Sequence, residues 1–160
     1  MSLDVPQKLR LRGAGLRFGV AAARFNPALV DALLGRLTAE LGAAGVKAAH
    51  VEVVRVPGSH EVPWAAGRLA ASRRFDCVVA LGVLIGGDTN HHEMVGQSVS
   101  HALQRVALDS GVPVINGVIV TDTLAQARAR CTGRINRGAE FAHAALEMAV
   151  LRRNIGGRSS

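Results

Sequence analysis

Two histidines and two glycines fall within one short stretch, Gly86-Gly87-Asp88-Thr89-Asn90-His91-His92. Glycines let backbone N–H groups come close to a ligand, and the N-terminus of a following helix favours an anion. A histidine in the first turn of that helix can move protons near neutral pH. An anion cradle beside a proton shuttle would make an enzyme site. The alternative is a glycine-rich turn with two surface histidines. His60, His91, His92 and Glu93 are also metal-ligating types. Neighbours on a helix, however, point about 100° apart, and the chain has neither an HExxH nor a pair of histidines four residues apart, so no metal is expected.

These residues need elements to hold them. An apolar run beginning at Cys77-Val78-Val79-Ala80-Leu81 precedes the stretch and reads as a buried strand over residues 77–83. A helix is predicted over 93–110. Upstream, residues 16–23 read as the first core strand, ending at Arg24-Phe25-Asn26-Pro27. Asn26 is expected to cap a helix that starts at Pro27 and carries Leu29, Val30, Leu33, Leu34, Leu37 and Leu41 at helical spacing. Residues 48–56 form the second predicted strand, which ends at Pro57-Gly58-Ser59-His60-Glu61-Val62-Pro63, and residues 64–72 read as a helix. The fourth strand spans 112–120. Thr121-Asp122-Thr123 then caps a short helix over 124–130, a loop follows, and a last helix spans 139–151.

Strands and helices alternate, and the strands are apolar throughout. The pattern predicts an α/β fold: a four-stranded parallel sheet covered on both faces, a small doubly wound three-layer sandwich. Residues 1–14 read as an arm or edge strand, 15–151 as one domain, and 152–160 as a flexible tail. All four polar turns, at Phe25, at 58–61, at 86–91 and at Thr121-Asp122, then follow the carboxyl ends of strands. That is where open α/β sheets bind ligands.

Composition narrows the class. A net charge of +7 invites a polyanion partner, but aromatics make up only 3% of the chain and Tyr is absent, so no stacking platform for bases exists and specific nucleic-acid binding is not expected. No apolar run is long enough to span a membrane, and residues 1–6 lack the basic start and apolar core of a signal peptide, so a cytoplasmic protein is expected. Cys77, on a strand, and Cys131, in a loop, are expected to be free thiols. Mean hydropathy is +0.23, high for a soluble monomer, which points to an oligomer interface.

The turns in this order resemble those of the lumazine synthases: Arg24-Phe25-Asn26, Val56-Pro57-Gly58-Ser59-His60-Glu61-Val62-Pro63, Gly86-Gly87-Asp88-Thr89-Asn90-His91, Pro113-Val114-Ile115-Asn116-Gly117-Val118 and Asn136-Arg137-Gly138-Ala139-Glu140. The resemblance runs over about residues 13–151 and implies a flavodoxin-like fold. It also implies condensation of 5-amino-6-(D-ribitylamino)uracil with 3,4-dihydroxy-2-butanone 4-phosphate to 6,7-dimethyl-8-ribityllumazine, with no cofactor. By the same resemblance, Phe25 stacks on the pyrimidine. Ser59, His60 and Glu61 hold the ribityl chain and ring edge, the backbone of Val83, Leu84 and Ile85 reads the pyrimidine, and Asn116 lines its site. Gly87, Asp88, Thr89 and Arg130 form the phosphate site, with Asp88 turned aside, and His91 transfers protons. It further implies a homopentamer with sites between subunits, an arm added to the neighbour's sheet, and a functional link to riboflavin synthase. The short region at Gly133 lacks the insertion associated with free pentamers, so pentamer and sixty-subunit shell both stay open.

This chain departs from the family pattern in places. His60 and Asn116 stand where aromatic rings are frequent, Gly86 where arginine is, and His92 where an aromatic is. A more polar pocket is expected. A shell-forming or flavin-binding relative without turnover is the competing reading, and a flavodoxin-like binding module is disfavoured by the Arg-Phe-Asn turn. Analytical ultracentrifugation is expected to find particles well above the 16.7 kDa of one chain; only monomers would remove the oligomer.

Overall fold

The computed structural model describes residues 7 and 9–156. Four strands, β1 (Phe18–Ala23), β2 (Val51–Val56), β3 (Cys77–Ile85) and β4 (Val114–Thr121), pair in the order β2-β1-β3-β4, all parallel. The helices are α1 (Pro27–Ala43), α2 (Val62–Ala71), α3 (His91–Ser110), α4 (Leu124–Cys131) and α5 (Arg137–Gly156), with 3-10 turns at Ala48–His50 and Ser59–Glu61. The α/β three-layer sandwich read from the sequence is the observed architecture.

Strand alternation explains the layers. On β1, Phe18, Val20 and Ala22 join Leu29, Val30, Leu33, Leu37 and Leu41 of α1 and Ala142, Ala145 and Leu146 of α5 in one core. Ala21 and Ala23 face the other way, with Val62, Ala65, Ala66 and Leu69 of α2 and Val99 and Leu103 of α3. Leu33, Leu37 and Leu41 are fully buried; each cut to Ala would cost about 2–5 kcal/mol. Central β1 is buried along its whole length. Edge strands β2 and β4 are only partly covered, so the expectation of strands buried on both faces holds for the centre and not for the edges.

Several boundaries differ from the sequence reading, each for a local reason. Asn26 does not cap α1 with its side chain. It sits at φ 55°, ψ 53°, a left-handed conformation that Asn tolerates, and its amide donates to the Val83 carbonyl at 2.8 Å. Cys131 is the last residue of α4 and is buried, not in a loop. Burial raises its thiol to about 11, and burial beside Asp76 pushes the Cys77 thiol up as well. Both are free thiols, held protonated at neutral pH.

The last helix runs to Gly156, five residues past its predicted end at Leu151. Arg152 and Arg153 looked like the start of a charged tail. Instead the Arg153 guanidinium makes a two-point bond to Asp76 (Nε–Oδ1 2.7 Å, Nη2–Oδ2 2.8 Å) and also donates to the Gly15 carbonyl at 2.9 Å. Arg152 donates to the Phe75 carbonyl at 3.2 Å. Asp76 accepts the Arg17 backbone N–H as well, at 2.7 Å. Residues 157–160 of the predicted tail lie outside the described residues. So do 1–6 and 8 of the predicted arm, while residues 9–13 take no regular secondary structure.

The Asp76 side chain is only 11% exposed, so removing it strands the half-exposed Arg153 guanidinium and the Arg17 N–H together. Asp76→Ala is expected to lower unfolding free energy by about 2–3 kcal/mol, read by urea denaturation.

Candidate active site

The sheet order reverses between β1 and β3, because the chain leaves β1 for β2 on one side and returns to β3 on the other. At such a switch point the connections after the two strands part and leave a crevice. Here the parting is deepened by a stagger. The β1–β3 ladder ends at Ala22↔Leu81, whereas the β3–β4 ladder continues to Ile85↔Thr121. On its β1 side, the upper part of β3 therefore has no strand to pair with, and of its carbonyls there Val83 is held by Asn26.

A cleft of about 460 Å³ opens over this segment, within the range usual for small-molecule sites. Its walls are Phe25 and Asn26 after β1, Gly58 to Glu61 after β2, Val83 to Ile85, and Gly87, Thr89, His91, His92 and Val95 at the loop and start of α3. Three stretches far apart in sequence, 25–26, 58–61 and 83–95, thus meet at one edge of the sheet.

Each wall has a local cause. Phe25 is 70% exposed and is not a core residue; its ring stands over Gly58, where an added Cβ would lie 3.3 Å from the ring. The 58–61 turn closes on itself through Glu61, whose Oε2 accepts the Gly58 N–H at 2.8 Å. The turn packs against β3 because Gly82 has no side chain: a Cβ there would come within 2.4 Å of the Ser59 hydroxyl. Ser59 is 4% exposed, and its Oγ has no hydrogen-bond partner among the described residues. His60 is exposed at the lip, with its Nδ1 3.9 Å from Glu61 Oε1.

The loop after β3 is anchored at its start by the Gly86 N–H, which donates to the Thr121 carbonyl at 2.8 Å. Gly87 and Thr89 line the cleft; Asp88 between them is exposed and outside the lining. His91 opens α3 and is exposed at the cleft, at the helix end where an anion is favoured.

Most of the sequence-predicted residues meet here: Phe25, Ser59, His60, Glu61, Val83, Leu84, Ile85, Gly87, Thr89 and His91. Asp88, Asn116 and Arg130 do not. Asn116 is exposed on edge strand β4, where its Oδ1 accepts the Val118 N–H at 3.1 Å. Arg130 is half-buried on α4 and donates to the Gln126 carbonyl at 3.0 Å.

Four lining residues, Asn26, Gly58, His92 and Val95, are not among the site residues that the sequence predicts. Asn26 belongs to the Phe25-Asn26 turn at the binding edge, but the sequence gives it only the role of a helix cap there. Val95, one turn into α3, carried no signal beyond helical spacing. His92 looked like a packing or surface neighbour of His91, yet it lines the cleft. His92, Glu93 and Asp122 bring one ligand atom each within 4.8 Å of one another, but both carboxylates are exposed, and the arrangement reads as an ion-pairing corner.

A buried hydroxyl with no partner costs stability, on the order of 1 kcal/mol or more. Ser59→Ala is therefore expected to leave the thermal midpoint unchanged or raise it by a degree or two, in scanning calorimetry of the unliganded protein.

Residues 15–153 match the 6,7-dimethyl-8-ribityllumazine synthase family. Among its relatives, the 6,7-dimethyl-8-ribityllumazine synthase of Thermococcus gammatolerans is 44% identical over 143 residues, covering 89% of this chain and 92% of that protein. Those of Nitrosospira multiformis and Stenotrophomonas maltophilia are 40% and 42% identical, over 91% and 84% of this chain and 89% and 88% of theirs. The matched residues include all three cleft-forming stretches, and the chain belongs to the 6,7-dimethyl-8-ribityllumazine synthase family.

Proposed function

We propose that the cleft condenses 5-amino-6-(D-ribitylamino)uracil with 3,4-dihydroxy-2-butanone 4-phosphate to give 6,7-dimethyl-8-ribityllumazine. The observation that carries this reading is the meeting, in one cleft, of a flat apolar face, a strand with unpaired backbone, a hydroxyl-binding turn and an anion-favouring helix start. Phe25 offers its ring to the pyrimidine. The open side of β3 over 83–85 offers N–H and C=O groups to the ring edge, as a strand offers them to a neighbour. Ser59 and Glu61 meet the ribityl hydroxyls through the backbone groups of their turn and the Glu61 carboxylate, while the Ser59 Oγ itself is buried against Gly82. His60 adds a polar edge where the family often has a ring.

Gly87 and Thr89 cradle the phosphate with N–H groups and the Thr89 hydroxyl, while Asp88 points its charge away from that anion. The pyrimidine's 5-amino group adds to the ketone and water leaves to form the imine; phosphate is eliminated, the resulting enol becomes a carbonyl, and the ribityl-bearing nitrogen closes the ring on that carbonyl with loss of a second water. Each step needs a proton moved and the reactants held, which His91 and the cleft walls supply.

Asn116 and Arg130 enter this scheme from a neighbouring subunit, since both lie off the cleft of their own chain. Apolar residues support such an assembly. Trp64 on α2, Leu108 on α3 and Ile155 on α5 are each more than 70% exposed. A groove of about 600 Å³ with Leu108, Val114, Ile115, Met148, Leu151 and Ile155 among its walls flanks edge strand β4. We read these as contacts within a cytoplasmic homopentamer, with a sixty-subunit shell as its larger form and a riboflavin synthase as the consumer of its product. Among the described residues no helix is long and apolar enough to cross a membrane.

Absorbance of the lumazine product, followed against a no-enzyme control, tests the reaction. A rate well above the control is expected; a rate equal to it from folded, assembled protein would overturn the reading in favour of a binding or shell protein. His91→Ala is expected to lower kcat about 10- to 100-fold, the low end for acid–base catalysis because the reaction also proceeds unaided. Arg130→Ala is expected to raise KM for the phosphate substrate about tenfold while sparing KM for the pyrimidine.

A further inference from the structure

His92 is the lining residue whose surroundings the proposed reaction leaves unexplained. Its side chain is only 11% exposed, both ring nitrogens are buried, and neither has a hydrogen-bond partner among the described residues. Nε2 lies 3.5 Å from Asp122 Oδ1, just beyond a bond. A buried imidazole with both nitrogens unbonded is costly packing, and a ring without nitrogens would fill the same space more cheaply.

Two further contacts converge on this corner. Gly86, at the start of the loop, lies so close to the turn after β4 that an added Cβ would come within 2.6 Å of the Asp122 carbonyl oxygen and 3.0 Å of its Cα. On α3, a Cβ at Gly96 would lie 2.7 Å from Val120 Cγ2. The start of the 86–90 loop and the helix that follows it therefore both rest on the same segment, 120–122. Asp122 is itself fixed, because its N–H and that of Thr123 both point at Gln126 Oε1, at 3.0 and 3.4 Å.

We propose that His92 is a positioning residue. With Asp122 it latches the 86–90 loop to the turn between β4 and α4, and so sets where Gly87, Thr89 and His91 stand. The latch rests on the reading of this loop as the phosphate site. It links two departures from the family pattern. A side chain at Gly86 would hold the loop away from Asp122; with glycine there, the loop settles onto the turn, and a histidine at 92 can reach the carboxylate. Closure of the loop over a phosphate shortens the 3.5 Å gap to a hydrogen bond, as polar contacts in unliganded sites do on binding.

The test is a double-mutant cycle on the intact assembly. His92→Phe keeps the ring volume and removes the nitrogens. Asp122→Ala removes an exposed carboxylate, so it keeps the fold if His92→Phe does not. Hydrogen exchange of the amides over 86–91 and KM for each substrate are read for both variants and the double. Each single change is expected to speed exchange in the loop and raise KM for the phosphate substrate about three- to fivefold, the size expected of a part-exposed pair. KM for the pyrimidine stays within about twofold, and the double variant matches the singles. Effects that multiply in the double variant, a loop whose exchange does not change, or equal shifts for both substrates would overturn the latch. If the wild type makes no lumazine, affinity for inorganic phosphate replaces KM: weakening by the same ratio in both variants supports the latch, and unchanged affinity overturns it.

Discussion

One mismatch in length shapes this molecule. Strand β3 outruns its central partner β1, so the ladder on one side stops four residues before the ladder on the other. Backbone groups in a sheet interior are normally satisfied by the neighbouring strand. Here the neighbour ends, and the chain must supply substitutes or leave the groups to a ligand. Asn26 supplies one, by taking a left-handed backbone and sending its amide to Val83. The remaining edge is roofed by the 58–61 turn on one flank and the glycine-rich loop on the other. Remove the stagger, and the cleft would be filled by one more stretch of strand.

The approach of those two flanks depends on absent side chains. Gly82 lets Ser59 lie against β3, and Gly86 lets the loop lie against Asp122. Close contact then buries polar atoms without giving them partners, as at Ser59 and His92. Local stability is given up where a ligand must be met, and made good in two cores whose buried side chains are at most 7% exposed.

Much of this was legible in the chain itself. The central strands read correctly because β1 and β3 are apolar at every position, which in a 160-residue chain leaves few alternatives to a covered parallel sheet. Polar turns at Phe25, 58–61 and 86–91 each follow a strand end and so point to one edge from the sequence alone. What escaped were facts that depend on distant partners. Asn26 before Pro27 looks like a cap by local rules, and only the register of β3 shows what its amide binds. Arg152-Arg153 looks like a solvated tail, because nothing near it in sequence announces Asp76, some 77 residues upstream. His92 beside His91 looks redundant until β4 is set against α3. Cys131 fell inside a helix for the same reason: the signal for its end lay in the tertiary packing of α4 on α1, not in its neighbours.

The Arg153–Asp76 clamp lies at the opposite edge of the sheet from the cleft, where it joins the end of α5 to the entries of β1 and β3. Fold integrity and ligand recognition are thus housed at opposite poles of one small domain. Such a division makes the recognition pole free to vary. His60, Gly86, His92 and Asn116, the positions where this chain differs from its family's habits, all lie in loops, at a helix start or on an edge strand, away from the clamp and from the fully buried leucines of α1. The same partition marks the carboxyl edge as the place to redesign for a different heterocycle, with the amino edge kept as a fixed foundation.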